Sequence, residues 1–524
     1  MISWWCVALF LGLLSATLSA TRCNQKRYPG PDINLVCVCN ATYCDEIDPL
    51  GSLASGQAAI YLSTKDGKRL EKSTGNFQQT NSKNADTVEI QLDASERYQT
   101  ILGFGGAFTD SVGINLNKLS SATRQKLIEQ YYGEKSIGYT IGRVPIASCD
   151  FSTSEYSYVD QKDDFELNSF KLAPEDFEAK IPYIVQAINL TNNQLKLFAS
   201  PWSPPYWFKT NEKMDGPGML KGPTNGRYYQ SYAKYFVRFF EEYAKNGIIF
   251  WGLTTQNEPS SGLVPFYPWQ TMWIDPYEQQ QFIKNHLGPY LRRNKVTSKL
   301  KIMVNDDNLV DIPSYTNSIF KDEDAAAFID GIGIHWYSSD FVGREGLVAH
   351  HEKHPDKFIL ATEACNGYEA FNHGPRLGSW ARGDRYARDI IGVLQRWTVG
   401  WVDWNLALDE QGGPNWAKNF VDSPIIVNAT TNEFYKQPMF YVLGHFSKFV
   451  PPNSQRIDSK VSKLPYGNNF EAIAFTTPSN QRVLIALNSH LIKTYNLNIK
   501  ESKQAGTLSY SLPPSSIATF VWNK

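Results

Sequence analysis

Two glutamates stand where strand-like runs of the sequence give out. Glu258 ends Thr-Gln-Asn-Glu after the apolar stretch that starts at Ile248, and Glu363 sits in Ala-Thr-Glu-Ala after Phe358-Ile359-Leu360. Hydrolysis of a glycosidic bond needs such a pair: one carboxylic acid protonates the departing oxygen, and one carboxylate attacks the sugar or activates water. If the second group is the nucleophile, the two carboxyls must lie about 5–5.5 Å apart. Asn257, beside Glu258, is placed to donate to the sugar 2-hydroxyl. A lone Glu is ordinarily a surface ion-pair partner. These two depart from that pattern, because Pro259 stops the strand after Glu258 and Glu363 is bracketed by Leu360-Ala361 and Ala364-Cys365.

Other chemistries have little to stand on. The chain has no H-E-x-x-H, G-x-S-x-G, G-x-G-x-x-G or P-loop motif, so zinc-peptidase, serine-hydrolase and nucleotide chemistry lack support. His350, His351 and His354 lie in a charged helical stretch and read as solvated, and Asp306-Asp307 reads as polar support or a loop turn rather than a metal pair. No metal and no organic cofactor is expected. The formal net charge of −1 offers nucleic acid no basic field. With 14 Trp, 28 Tyr and 29 Phe, the chain is rich in flat faces suited to sugar rings and lipids.

The elements that must position the glutamates follow one phrase, an apolar strand ending in polar or aromatic residues and then a helix. Eight strands are expected at 100–106, 139–147, 195–201, 248–257, 301–306, 331–337, 358–364 and 400–406. Such alternation closes most naturally into a (β/α)₈ TIM barrel, with an open doubly wound sheet as the alternative. In a barrel, chemistry gathers at the C-terminal strand ends. Those ends carry Asp110, Arg143, Asp150, Trp202, Asn257-Glu258, Asp306-Asp307, His335-Trp336-Tyr337, Glu363 and Trp404-Asn405. Helices are expected at 122–132 with Ser121 as N-cap, at 228–244, after Asp275-Pro276, and at 385–397.

The flanks read differently. Residues 51–98 and 454–524 alternate like strands and suggest one β-sandwich built from both chain ends, with the barrel (99–453) inserted and carrying a β insertion near 406–437. Residues 1–20 combine a short apolar run with small residues at its end and read as a signal peptide. Cys23, Cys37, Cys39 and Cys44 crowd into a β segment at 21–50 and read as two disulfides of an oxidising compartment, three pairings being open. A zinc site is the competing reading, but no His lies nearby. Cys149 and Cys365 are left over as candidate free thiols. Asn40, Asn189 and Asn428 each begin an Asn-x-Thr sequon and become candidate glycan sites on that route.

Several stretches give a more specific reading. Val-Cys-Val-Cys-Asn-Ala-Thr-Tyr-Cys (36–44), Gly-Phe-Gly-Gly-Ala (103–107), Ala-Ser-Cys-Asp-Phe (147–151), Ser-Pro-Trp (200–202) and Asn-Glu-Pro-Ser (257–260) are the first of these. His-Trp-Tyr (335–337), Glu-Ala-Cys (363–365), Asp-Trp-Asn-Leu-Ala-Leu (403–408) and Gly-Gly-Pro-Asn-Trp (412–416) complete them. Through them the chain resembles glycoside hydrolase family 30 over essentially its whole mature length. The resemblance implies a retaining β-glucosidase that splits glucosylceramide into glucose and ceramide, with Glu258 as acid/base and Glu363 as nucleophile. It implies that Asp150, Trp202, Asn257, Trp404 and Asn419 hold the glucosyl unit, with Tyr337 close by and Arg143 and His335 in support. It further implies disulfides Cys23–Cys37 and Cys39–Cys44, and a lysosomal address at the lumenal membrane face. Anionic phospholipid and a saposin-type activator are the implied partners. Gln256 departs from the family pattern, which has an acidic residue there, and bears on pH tuning. The alternatives to this reading are a related family member acting on another β-glycoside, such as a sterol glucoside or a xyloside, or a catalytically silent glycolipid-binding protein, and the aglycone is expected to meet loops at 343–351 and 310–316.

Overall fold

The computed structural model describes residues 21–30, 34–79, 87–462, 464–465, 467–502 and 505–524. The proposed signal segment lies outside them. All eight expected strands form and close into one parallel barrel: β1 (Gly103–Ala107), β2 (Ile141–Ile146), β3 (Lys196–Pro201), β4 (Gly252–Thr254), β5 (Lys301–Asn308), β6 (Gly331–His335), β7 (Phe358–Glu363) and β8 (Thr398–Asn405). The doubly wound alternative is thereby excluded, since β8 pairs with β1. Ile141, Phe198, Met303, Leu360 and Val402, from five strands, pack into a buried cluster of the barrel. The helices bury aromatic faces against the strands, most visibly Arg227–Lys245, where Tyr232, Phe236, Phe239 and Tyr243 have no exposure.

Closure depends on missing side chains at the β1 seams. A Cβ on Gly105 would stand 1.9 Å from the Ile141 carbonyl oxygen of β2, and one on Gly400 would stand 2.2 Å from the Gly103 oxygen of β1. Gly105 and Gly400 are therefore packing requirements where backbone meets backbone.

Helix boundaries needed small corrections. Ser120, not Ser121, caps Ser121–Tyr132, because its hydroxyl accepts from the Thr123 amide. The stretch expected at 385–397 is helical from Trp380 to Leu394. Asp275 caps Pro276–Phe282 as expected, and Glu278 completes a capping box.

Both chain ends build the second unit, a sheet of nine strands. In order these are Leu508–Leu512, Tyr495–Glu501, Thr87–Thr100, Gln455–Val461, Phe470–Thr476, Gln481–Asn488, Ser516–Asn523, Gln57–Thr64 and Glu71–Asn76. A bridge between Gln78 and Thr507 brings its two ends together around a separate core. A small third sheet joins Gln25–Tyr28 and Asn34–Cys39 to Glu433–Lys436, Ile425–Asn428 and Leu408–Asp409. Disulfides Cys23–Cys37 and Cys39–Cys44 fasten it, and Cys149 and Cys365 are free and buried.

Replacing Gly105 by Ala should cost about 4 kcal/mol or more, as large backbone clashes in a core do. Urea unfolding of the variant beside wild type checks this, and an unchanged midpoint would contradict the seam argument.

Candidate active site

The mouth of the barrel stores backbone strain at the strand ends that carry polar residues. Ala147 after β2 (φ +67°), Glu258 after β4 (φ +41°) and Asn305 and Asp306 in β5 (φ +69° and +51°) all adopt left-handed conformations. Such conformations cost of order 1–3 kcal/mol each in non-glycine residues and persist only where surroundings enforce them. For Glu258 the enforcement is visible. Its amide donates to the Asp306 carbonyl (2.9 Å), and its own carbonyl accepts from the Ser261 hydroxyl (2.7 Å). Pro259 on its C-terminal side disfavours the ordinary helical conformation. The result turns the Glu258 side chain away from the run of β4 and into the mouth.

Arg143, projecting from β2 with no solvent exposure, gathers the charged groups. Its guanidinium donates to Glu363 Oε2, to Asn257 Oδ1 (2.8 Å), to Asp306 Oδ2 (2.9 Å) and to the Ser200 hydroxyl (3.1 Å). Asp306 also accepts from Thr254 and Thr362, both at 2.6 Å. Burial works against its charge, but Arg143, and after it His335 and Thr254, hold its carboxyl well below the usual carboxylate range. His335 bridges Asp306 (Nε2 to Oδ1, 3.1 Å) and Glu258 (Nδ1 to Oε1, 2.9 Å). Burial opposes its charge too, yet the Glu363 carboxylate and the bonds to Asp306 and Glu258 lift it to about 10, so the ring is an imidazolium. Tyr337 donates its hydroxyl to Glu363 Oε1 (2.7 Å). Burial raises the Glu363 carboxyl, with Glu258 adding to the rise and His335, Arg143 and Tyr337 pulling against it.

Of these groups, Asn257, Glu258, Tyr337 and Glu363 line a cavity of about 250 Å³. Trp202 and Trp404 stack at 5.1 Å between ring centres in its wall, each with the Arg143 guanidinium near a face (4.9 and 5.4 Å). Asp150 Oδ2 accepts from Asn415 and Asn419, both at 3.0 Å, leaving Oδ1 without a protein partner among the described residues. Burial pushes Asp150 up to about 7, the carboxamides only partly offsetting it. Asp150, Trp202, Asn257, Glu258, Tyr337, Glu363, Trp404 and Asn419, all singled out from sequence, meet in this one cavity, while Arg143 and His335 sit directly behind it.

Sequence reasoning missed Trp269, Asn308, Tyr368 and Val421 as wall residues and left Cys365 there unassigned. Phe-Tyr-Pro-Trp at 266–269 was the available signal for one of them: an aromatic run has reason to leave the core only where a ligand face replaces it. The stretches 343–351 and 310–316, expected to meet the aglycone, are partly helical. Residues 345–353 form helix Glu345–Lys353, helix Ser314–Ile319 takes up the last three residues of the other stretch, and neither stretch lines the sugar cavity itself. Asp110 faces away as well, bound to Ser152 and Tyr156 behind the loop that carries Asp150. The histidine stretch is also not uniformly solvated. His350 is buried (1% exposed) against Phe320 and pushed down to about 4 by burial, and His351 stacks on Trp397. Gln256 is buried and donates to the carbonyls of Trp202 and Asn257. Among the sequons, Asn189 is exposed, whereas Asn40 and Asn428 are half-buried and engaged by Thr42 and Tyr435.

Glu258, His335 and Glu363 each offer a ligand atom, all within 4.8 Å of one another. A cation there would compete with two already in place, since the imidazolium uses both nitrogens as donors and Arg143 holds Glu363. The donor set suits a proton-transfer pair rather than a metal. A protonated carboxyl and a carboxylate this close can act on one bond from two sides.

The family model described as glycosyl hydrolase family 30 TIM-barrel domain matches residues 101–450, and that of the family 30 beta sandwich domain matches 453–520. Putative glucosylceramidase 3 of Caenorhabditis elegans is 47% identical over 505 residues, covering 96% of this chain and 95% of its own length. Lysosomal acid glucosylceramidase of Mus musculus is 41% identical over 493 residues, 94% of each chain. The crystal structure of SrfJ from Salmonella typhimurium superposes with a TM-score of 0.80 at 28% identity, covering 89% of this chain and all of that one.

The site sets a sign for stability against pH. Asp150, raised to about 7 from the ordinary aspartate value of 3.8, binds its proton more tightly in the folded state. Stability therefore falls as pH rises between those values, by up to about 1.4 kcal/mol per pH unit per proton. His335, raised from 6.5 to about 10, contributes stability that is complete below 6.5 and is lost as pH climbs towards 10. Thermal unfolding should show a higher midpoint at pH 5 than at pH 7.5, and Asp150→Asn should flatten that decline; an equal or steeper decline in the variant would refute the assignment.

Proposed function

Because the chain belongs to glycosyl hydrolase family 30, we propose that it is a retaining β-glucosidase that hydrolyses glucosylceramide to glucose and ceramide in an acidic, lysosomal lumen. The observation that carries the reading is the approach of the two carboxylates, with ligand oxygens of Glu258 and Glu363 within 4.8 Å. That spacing suits a nucleophile opposite an acid, whereas inversion needs about 6.5–9.5 Å to admit a water.

Glu363 attacks the anomeric carbon while Glu258 protonates the glycosidic oxygen, releasing the aglycone and leaving a glucosyl ester on Glu363. Glu258, now ionised, takes a proton from water, which attacks the anomeric carbon, breaks its bond to the Glu363 oxygen and frees glucose with the original stereochemistry. Arg143 and Tyr337 fix the plane of the nucleophile, one donor on each oxygen. His335 occupies Glu258 Oε1, so the proton for transfer sits on Oε2. Trp202 and Trp404 wall the sugar with apolar ring surface, and Asp150 and Asn257 bond its hydroxyls. A cavity of about 250 Å³ suits one pyranose ring at a chain end better than an internal stretch of polysaccharide.

The lipid half of the reading is supported at the rim. Phe266, Phe341 and Phe371, on segments after β4, β6 and β7, are 95%, 87% and 87% exposed, with Leu263, Val264 and Val310 also exposed. Bare aromatic rings around one mouth suit a bilayer surface and a lipid aglycone. An anionic phospholipid surface and a saposin-type activator are the partners that would present the substrate. No helix among the described residues is long and apolar enough to cross a membrane. The disulfides suit an oxidising secretory route, and the stability trend above suits an acidic lumen.

Purified protein with glucosylceramide in anionic vesicles at pH 5 should release glucose. Glu258→Gln and Glu363→Gln should each lose about 10³-fold or more in kcat. With an aryl β-glucoside whose leaving group needs no protonation, azide should rescue Glu363→Ala as the α-glucosyl azide and Glu258→Ala as the β-glucosyl azide. Faster hydrolysis of a sterol glucoside or a xyloside would move the substrate assignment, and lipid binding without turnover would remove the enzyme reading.

A further inference from the structure

Behind the cavity wall lies a charged group that the chemistry does not use. Lys209 has no solvent exposure, and its ammonium is surrounded by four backbone carbonyls: Thr271 (2.7 Å), Met214 (2.9 Å), Gly216 (3.2 Å) and Asp215 (3.4 Å). Three of the four belong to one loop and the fourth to another. The loops also touch through a bridge between Asp215 and Gln270, through the Thr271 amide on the Met214 carbonyl (3.2 Å) and through the Trp273 amide on Gly218 (2.8 Å).

The clamped segment 269–273 reaches the active site at three points. Trp269 is part of the cavity wall. Gln270 donates to the Ser148 hydroxyl (2.9 Å) and the Cys149 carbonyl (3.2 Å), the residues that lead into Asp150. The Thr271 hydroxyl meets that of Ser261 (2.6 Å), which donates to the carbonyl of Glu258 (2.7 Å) and so helps hold it left-handed. We propose that Lys209 is a positioning residue: its ammonium clamps the 209–216 loop to the 269–273 segment and thereby sets the backbone of Glu258 and the loop of Asp150. The inference rests on the acid/base reading of Glu258.

The clamp has a proton dependence. An ammonium brings three N–H donors to four acceptors, while a neutral amine brings two and sets a lone pair against carbonyl oxygens. Burial pushes Lys209 down to about 7, with Asp215 and Glu155 the acidic groups that face it and oppose the shift. The segment 269–273, Trp-Gln-Thr-Met-Trp, adds no titratable group. By linkage the buried charge costs stability below about 7, and that cost is relieved as the proton leaves between 7 and 10.5. The acidic range is thus where the fold carries the cost of the charge and where the clamp is complete.

The test uses the whole protein and a small soluble aryl β-glucoside, so that lipid presentation plays no part. Lys209→Ala should lose about tenfold to a hundredfold in kcat at pH 5.5, the scale of a misplaced catalytic group, with a smaller change in KM. Added n-propylammonium, which restores a cation among the carbonyls, should recover much of that loss, and tetramethylammonium, which has no N–H, should not. In wild type, hydrogen exchange corrected for the intrinsic rate should show the Thr271 and Trp273 amides losing protection between pH 5.5 and 8.5, a reading that does not depend on the variant folding. Wild-type kcat in Lys209→Ala, loss without propylammonium rescue, or pH-independent protection would each overturn the clamp. If wild type itself fails to cleave the glucoside, the proposed function fails instead.

Discussion

The buried contact of Arg143 with Asp306 and Glu363 is the constraint around which the mouth of the barrel is arranged. An isolated charge at zero exposure is too costly to keep, so a buried carboxylate needs a cation and further donors. Here one guanidinium touches two carboxylates, and Asp306 in turn anchors the imidazolium that reaches Glu258. Remove Arg143 and three acidic groups face each other with only His335 between them. The cluster is therefore a unit: no member can be neutralised without shifting the others, and additive effects are not expected within it.

The backbone supplies what this electrostatic set requires. Four non-glycine residues in left-handed conformations sit at or just past the ends of β2, β4 and β5, where a straight strand would simply alternate its side chains between the barrel interior and the helices. The register between β5 and β6 shifts between Asn305 and Asp307, which turns Asp306 inward towards Arg143, Thr254 and Thr362. That strain is tolerable because the seams beneath it are tight, with Gly105 and Gly400 letting neighbouring strands approach backbone to backbone. The stable lower barrel holds the unfavourable geometry above it.

Much of this was legible in the sequence for a physical reason. Parallel barrel strands are buried on both faces and appear as apolar runs, so the polar residue that ends each run is conspicuous. Glu258, Glu363, Asp150, Trp202 and Trp404 were visible on that ground. Asp306 was seen but its role as the partner of Arg143 was not, because a pairing across 163 residues leaves no local pattern. Trp269 and Tyr368 were missed because wall residues on loops have no periodicity to betray them. His350 was misplaced for the opposite reason: its charged neighbours suggested solvent, but the helix turns that one ring inward onto Phe320. The Ser120 cap shows the usual limit at boundaries, where two adjacent serines are equally good candidates and only the hydrogen bond decides.

The division of labour between the two glutamates finds support in an asymmetry of their donors. Glu363 receives a hydrogen bond on each oxygen, from Arg143 and Tyr337, and donors of this kind favour the ionised form and fix its plane. Glu258 receives a close bond on Oε1 alone, from His335, while the Tyr267 hydroxyl stands 3.4 Å from Oε2. A carboxyl with one engaged oxygen can hold a proton on the other and hand it over without breaking an ion pair. A nucleophile has the opposite need, because it must be ionised before attack and must lose little orientation in becoming an ester. In the proposed double displacement the ester would carry no carboxyl charge, and the Arg143 guanidinium shared between Glu363 and Asp306 would be left to Asp306. Under that mechanism the bond that holds the nucleophile would weaken in the intermediate and re-form as glucose leaves, so the resting arrangement would favour completion of the second step.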